Sequence, residues 1–310
     1  MTINKAFLGH GIFTEYSIHN ALERFRTYGG GTPATTDADK IARFVKALQD
    51  MQISNVWMQI FTRKQRFDMD TAGAQLRKNL IAAFGNANIS WAGWGYCAGS
   101  NATRDLGWIQ HFKNDLDMKA FVIDAEPEEN KDDWTEGDFS AFVTGVNQLF
   151  GTDNVALSTW PCVQIREKSV KKLMQIAEPL VSLFAPQAYW MNYPTTVHYN
   201  TLGYSPANYP PHDPVAFVRM MIRAWKDAGF TKPLVISGQA YWESSSPSKA
   251  VMDAKADQFA RHFADWDQIL GFNWYHAGKD NNSDSEGSMS DAMVASIVSA
   301  KLGGKPYKAG

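Results

Sequence analysis

The chain has 310 residues, 45% hydrophobic, 13% aromatic and 20% charged, with a formal net charge of −2. That is the composition of a globular protein with a large core. Without a clustered run of Lys and Arg, nucleic-acid binding is disfavoured, and no apolar stretch approaches the roughly 18 residues that a membrane helix needs.

The N-terminal "MTINKAFLGHGIF" lacks the charged, apolar and small-residue segments of a signal peptide. This predicts synthesis in the cytoplasm, with any exterior target reached through lysis or a dedicated secretion route. Within this stretch "KAFLGHGIF" (5–13) predicts the first strand. After an extra short helix, "TYGGGTPATT" (27–36) predicts a mobile loop. "DADKIARFVKALQDM" (37–51) puts Ile41, Phe44, Val45 and Leu48 on one helical face, with Asp37 as its N-cap. "SNVWMQIFT" (54–62) predicts the second strand and "AGAQLRKNLIAAFGNAN" (72–88) a helix ending near Gly85. "ISWAGWGYC" (89–97) is the third strand and "TRDLGWIQHFKNDL" (103–116) the next helix. "MKAFVIDAEPEEN" (118–130) holds the fourth strand.

Four more helix–strand units follow. Helices over 137–150, 167–179, 213–230 and 251–266 precede strands over 155–160, 181–190, 233–242 and 269–276. A last helix covers 289–301. Eight strands alternating with eight helices imply a parallel sheet with helical crossovers and, at this length, an α/β fold of the (β/α)8 TIM-barrel type. An open doubly wound sheet is disfavoured, because no Gly-x-Gly-x-x-Gly follows an early strand. No linker interrupts the composition, so residues 1–310 read as one barrel domain with a long inserted loop at 191–214. That loop carries five prolines and Tyr193, Tyr199, Tyr204 and Tyr209, a stiff aromatic composition suited to the wall of a groove or to packing against its own barrel. Cys97 and Cys162 lack metal-type spacing and read as reduced packing residues, and no metal or cofactor is implied.

The fourth strand ends unusually. Residues two apart in a strand share a face, so Asp124 and Glu126 lie together with Val122, while Phe121, Ile123 and Ala125 face the helices. In a barrel, the C-terminal ends of the strands form the active-site rim. Two carboxylates this close resist double ionisation, and a carboxyl kept protonated is what general acid catalysis needs. The plain alternative is that they cap the next helix or pair with a surface Lys. The other strand ends bear on that choice: His10; Gln59; Trp94 and Tyr96; Ser158 and Trp160; Gln187, Tyr189 and Trp190; Gln239, Tyr241 and Trp242; Trp274, Tyr275 and His276. Aromatic faces mixed with amides suit sugar rings, whose C–H faces stack and whose hydroxyls take polar edges. A polysaccharide or other glycan is therefore the expected partner.

"FVIDAEPEE" resembles the Asp-x-Glu strand end of family 18 chitinases and of the related family 25 lysozymes. "FAPQAYWMNY" resembles the sixth strand of family 18, and "ILGFNWYHAG" its eighth. The resemblance implies a glycosidase acting on N-acetylated amino sugars in peptidoglycan or a chitin-like polymer. Glu126 would protonate the leaving oxygen, and Asp124 would orient the 2-acetamido group that attacks the anomeric carbon, an exception to the two-carboxylate scheme. Tyr189 would hold the acetamido oxygen and Trp274 would floor the subsite. The chain departs from these families in three places. Positions 119–123 read "KAFVI" where an extended acidic motif stands in chitinases, Gln187 or Asn192 replaces the sixth-strand acid, and the first-strand Asp of family 25 is missing, with His10 nearby.

Glu126-Pro127 also resembles the Asn-Glu-Pro motif of the large retaining glycosidase group, which would make Glu243 a nucleophile, with carboxyl groups about 5 Å apart. A third reading is a glycan-binding barrel without catalysis.

Overall fold

The computed structural model describes residues 2–127, 134–165, 168–190, 194–243, 251, 253–255, 258, 269–278 and 286–300. Its strands are β1 (Gly9–Thr14), β2 (Asn55–Phe61), β3 (Ser90–Tyr96), β4 (Phe121–Asp124), β5 (Val155–Thr159), β6 (Leu183–Ala188), β7 (Leu234–Gln239), β8 (Trp242–Glu243), β9 (Ile269–Ala277) and β10 (Glu286–Gly287). β1 to β7 and β9 form a closed barrel in which each strand pairs with the next in parallel and β9 returns to β1. β8 and β10 make a two-residue antiparallel pair apart from it.

The helices are α1 (Ile18–Arg24), α2 (Asp37–Asp50), α3 (Thr71–Asn86), α4 (Ala102–Leu116), α5 (Glu136–Phe150), α6 (Lys168–Ala177), α7 (Thr196–Leu202), α8 (Pro214–Asp227) and α9 (Asp291–Ala300). Side-chain caps start most of them. Ser17, Thr36, Asp70, Thr135 and Asp213 accept backbone N–H groups from the first turns of α1, α2, α3, α5 and α8, each worth about 1 kcal/mol. Thr36, rather than the expected Asp37, caps α2, and Asp37 instead adds a charge favoured by the helix dipole. Gly151, at φ 78°, lets the chain leave α5 in a conformation that L side chains avoid. The helix expected over 251–266 lies largely outside the described residues.

Strand alternation splits the core into two layers. Phe13, Trp57, Trp94, Val122, Ala156, Leu183, Ala185 and Val235 fill the barrel interior. The large rings come from β1 to β3 and the smaller side chains from β4 to β7. Fully burying a ring such as Phe13 stabilises by about 1.5–3 kcal/mol. The other parity, including Ile12, Phe121, Ile123, Phe184, Phe272 and Trp274, packs under the helices. The free thiols of Cys97 and Cys162 are buried in this outer layer.

Three expectations change in detail. The strand expected from residue 5 begins at Gly9, because Lys5–Phe7 form a 3-10 turn that plugs the barrel floor, where the Trp57 indole N–H donates to the Ala6 carbonyl at 2.8 Å. The glycine-rich loop after α1 is tied down by Arg43, whose guanidinium donates to the carbonyls of Tyr28, Gly30 and Thr32. In the 191–214 segment, α7 forms and the described tyrosines hold the segment to itself and to α8. The Tyr199 hydroxyl donates to the Tyr209 carbonyl (2.6 Å), Tyr204 donates to Asp227 (2.8 Å), and Arg223 lies over the Tyr204 ring. The Tyr204 and Tyr209 rings pack against the barrel's own core, as one of the two expected roles has it; Tyr193 lies outside the described residues.

Candidate active site

The register sets one level of side chains across the C-terminal mouth. Tyr96 pairs with Asp124, and Asp124 with Ser158. By the alternation that puts Trp94 and Val122 inside, Tyr96, Asp124 and Ser158 face the mouth. Gln187, two residues beyond the inward Ala185, faces it from β6.

Gln187 ties the acids together. Its side-chain Nε2–H donates to Asp124 Oδ1 at 3.1 Å and to Glu126 Oε1 at 2.5 Å, with Ser158 Oγ at 3.5 Å. An amide nitrogen has two protons, so the two carboxylates use both and Ser158 is a marginal contact. Asp124 and Gln187 are buried, and Glu126 is half-buried at the mouth. Tyr189 stands beside them. Burial first, then the charges of Tyr241, Glu126, Asp124 and Glu15, holds its phenol well above the ordinary tyrosine range. It therefore stays a neutral hydrogen-bond donor.

Across the mouth, the β9–β1 side builds a second polar group. The Tyr275 hydroxyl donates to Glu15 Oε1 at 2.7 Å, and His276 Nε2 lies 3.1 Å from Glu15 Oε2. Burial lowers the pKa of His276, opposed by the Glu15 carboxylate. Tyr275 is the centre of an aromatic floor, with ring centroids at 5.4 Å from Phe13, 6.2 Å from Trp94, 5.6 Å from Tyr189 and 5.8 Å from Tyr241. Gln239 donates to the Tyr241 carbonyl, and Gln59 accepts the backbone N–H of Tyr16. Tyr96 carries the Arg63 guanidinium over its ring at 5.3 Å.

The structure therefore gathers Asp124, Glu126, Tyr189, Gln187, Gln59, Trp94, Tyr96, Gln239 and Tyr241 at one end of the barrel. Four expected residues are elsewhere. His10 and Trp274 have the outward parity, and the Trp274 indole N–H donates to His10 Nε2 at 2.6 Å beneath the helices. Trp190 likewise packs in the outer layer. Trp160 follows the last residue of β5 and turns into the same layer, its indole N–H donating to the Pro127 carbonyl at 2.9 Å. At the mouth the aromatic ring stands one residue on from Trp274, at Tyr275. The side chains of Trp242 and Glu243, and with them the reading of Glu243 as nucleophile, lie outside the described residues, as does Asn192.

Glu15 and Tyr16 were missed. Counting by twos from Gly11 along β1 leads through Phe13 to Glu15 and away from His10, so the signal was present in "GIFTEYS".

Among the described residues no cluster of three or more His, Cys, Asp or Glu could hold a metal ion, and no helix is long and apolar enough to cross a membrane. No protein-family model matches the chain, and neither does any curated protein. Solved structures do match in fold. An endo-β-N-acetylglucosaminidase from Cordyceps militaris aligns over 96% of this chain and 91% of its own at 12% identity and a TM-score of 0.50. Active domain 2 of a thermostable chitinase from Pyrococcus furiosus aligns over 96% and 95% at 9% identity and a TM-score of 0.54. A subfamily GH5_18 protein from Bifidobacterium longum subsp. infantis aligns over 97% and 80% at 7% identity and a TM-score of 0.56. These neighbours are glycoside hydrolases built on the same barrel. At such identities the likeness is one of fold.

Proposed function

We propose that the protein is a glycoside hydrolase acting on a glycan of N-acetylated amino sugars, in peptidoglycan or a chitin-like polymer, by substrate-assisted chemistry. The observation that carries this reading is the bridge from Gln187 to both Asp124 and Glu126, with the neutral phenol of Tyr189 beside it. Gln187 donates to Oε1 of Glu126, and in this reading Oε2 carries the proton for the leaving oxygen. Glu126 gives that proton to the glycosidic oxygen as the bond to the anomeric carbon breaks. The acetamido oxygen of the same sugar closes on that carbon. Asp124 accepts the acetamido N–H and balances the developing positive charge, and Tyr189 donates to the acetamido oxygen. Water then opens the ring intermediate, returning its proton to Glu126. The aromatic floor around Tyr275 suits the C–H face of the reacting sugar. Two of the fold neighbours, the endo-β-N-acetylglucosaminidase and the chitinase studied with chito-oligosaccharides, are compatible with this substrate class.

The test is release of reducing ends from chito-oligosaccharides and from muropeptide glycan strands by the wild type and by Glu126→Gln. Cleavage of at least one of these by the wild type, and its loss in the variant, is expected. Wild-type protein that cleaves neither would overturn the reading.

A further inference from the structure

Tyr16 is bulky yet sits at φ 59°, in the left-handed region where large side chains are outliers. Its backbone N–H is held there by the Gln59 side chain at the mouth, and its ring is 48% exposed, edge-on to Phe67 at 6.0 Å. Such backbone conformations persist where surrounding structure enforces them, and they cluster at ligand sites. Directly before it, Glu15 is held at both oxygens, by the Tyr275 hydroxyl and by His276. A carboxylate has about four lone-pair sites, so two donors leave it acceptor capacity towards the mouth. A fixed acceptor beside an exposed ring is the pairing that binds a pyranose, hydroxyls on one and the C–H face on the other.

We infer that the Glu15–Tyr16 turn is a second sugar subsite, on the opposite wall from Asp124 and Glu126, which takes a further pyranose of the glycan chain away from the bond being cut. This rests on the glycosidase reading and adds to it a preference for oligosaccharides over short sugars. None of the residues involved belongs to the proton-transfer set.

The experiment is calorimetric binding of a chitobiose-to-chitohexaose series to Glu126→Gln, with and without Tyr16→Asn or Glu15→Gln. Asn tolerates the left-handed backbone, so Tyr16→Asn removes the ring without removing the turn. The subsite predicts that affinity for the longest sugars falls about tenfold in each double variant, much more than for chitobiose, while the melting temperature of Tyr16→Asn is held or raised. Equal losses at every length, no loss, or a lower melting temperature from Tyr16→Asn would assign the turn a structural role and overturn the subsite alone. If Glu126→Gln binds no sugar and the wild type cleaves none, the glycosidase reading falls together with the subsite.

Discussion

Two pairs of side chains join β9 to β1 and the turn after it, and their aromatic partners are neighbours in sequence but a full layer apart in space. Trp274 donates to His10 under the helices, whereas Tyr275 donates to Glu15 at the open mouth. Both pairs put an aromatic donor on an ionisable acceptor, but His10 is the second residue of β1 whereas Glu15 follows its last. Only the second has a partly exposed carboxylate beside a floor of rings. Composition does not separate the pairs, but side-chain parity does. On the proposed function, changes at the mouth should move turnover and changes beneath the helices should move stability.

The largest expected effect is at the mouth. Glu126→Gln should lower kcat by roughly 10²–10⁴-fold while leaving the melting temperature within a few degrees, as measured by reducing-end release and calorimetry. Activity within about tenfold of wild type would exclude Glu126 as the acid. The outward counterpart is Trp274→Ala. A fully buried ring costs about 3–5 kcal/mol on truncation, so denaturant unfolding should show that loss while kcat per folded molecule stays near wild type. A collapse of kcat in protein shown to be folded would put Trp274 back in the site.

His10 sharpens the comparison through pH. Burial pushes its pKa down to about 4. Between about 6.5 and 4 the unfolded chain takes up a proton there and the native state does not, so stability falls as pH drops through that window. The loss reaches about 3 kcal/mol at the acid end. Unfolding curves of wild type and His10→Phe measured across this range should differ in slope, with the variant flatter. Parallel slopes would mean that His10 charges freely in the native state.

Smaller effects return to the mouth. Gln187→Leu removes the donor shared by Asp124 and Glu126, and hydrogen bonds to charged groups are worth about 1.5–3 kcal/mol, so kcat should fall by about 10–10²-fold. An unchanged kcat would mean that the bridge does not position the acids. Tyr275→Phe keeps the ring and loses one bond to Glu15, worth about 1 kcal/mol; a severalfold rise in KM with nearly unchanged kcat should show in steady-state kinetics.

The barrel was legible because each apolar run is short and the helical faces between them repeat at 3.6, although the cap expected at Asp37 falls on Thr36. Asp124 and Glu126 were legible because a charged pair ends a wholly apolar run. What sequence reading lost was the phase of each strand. Without the register, Trp274 is as plausible as Tyr275, and His10 as plausible as Glu15. The 3-10 turn at Lys5–Phe7 was hidden for another reason: its residues are as apolar as a strand, and only the Trp57 bond to Ala6 reveals a plug. The tyrosines after β6 looked like a wall because their partners on α8, Arg223 and Asp227, lie well downstream in sequence.

The most direct test of the account is a crystal structure of Glu126→Gln soaked with a chito-oligosaccharide. The account predicts the scissile glycosidic oxygen within hydrogen-bond reach of the residue 126 amide, about 2.6–3.2 Å, with the neighbouring acetamido group between Asp124 and Tyr189 and its sugar face on Tyr275. A sugar bound with its acetamido group turned to solvent, or bound away from the barrel mouth altogether, would contradict it.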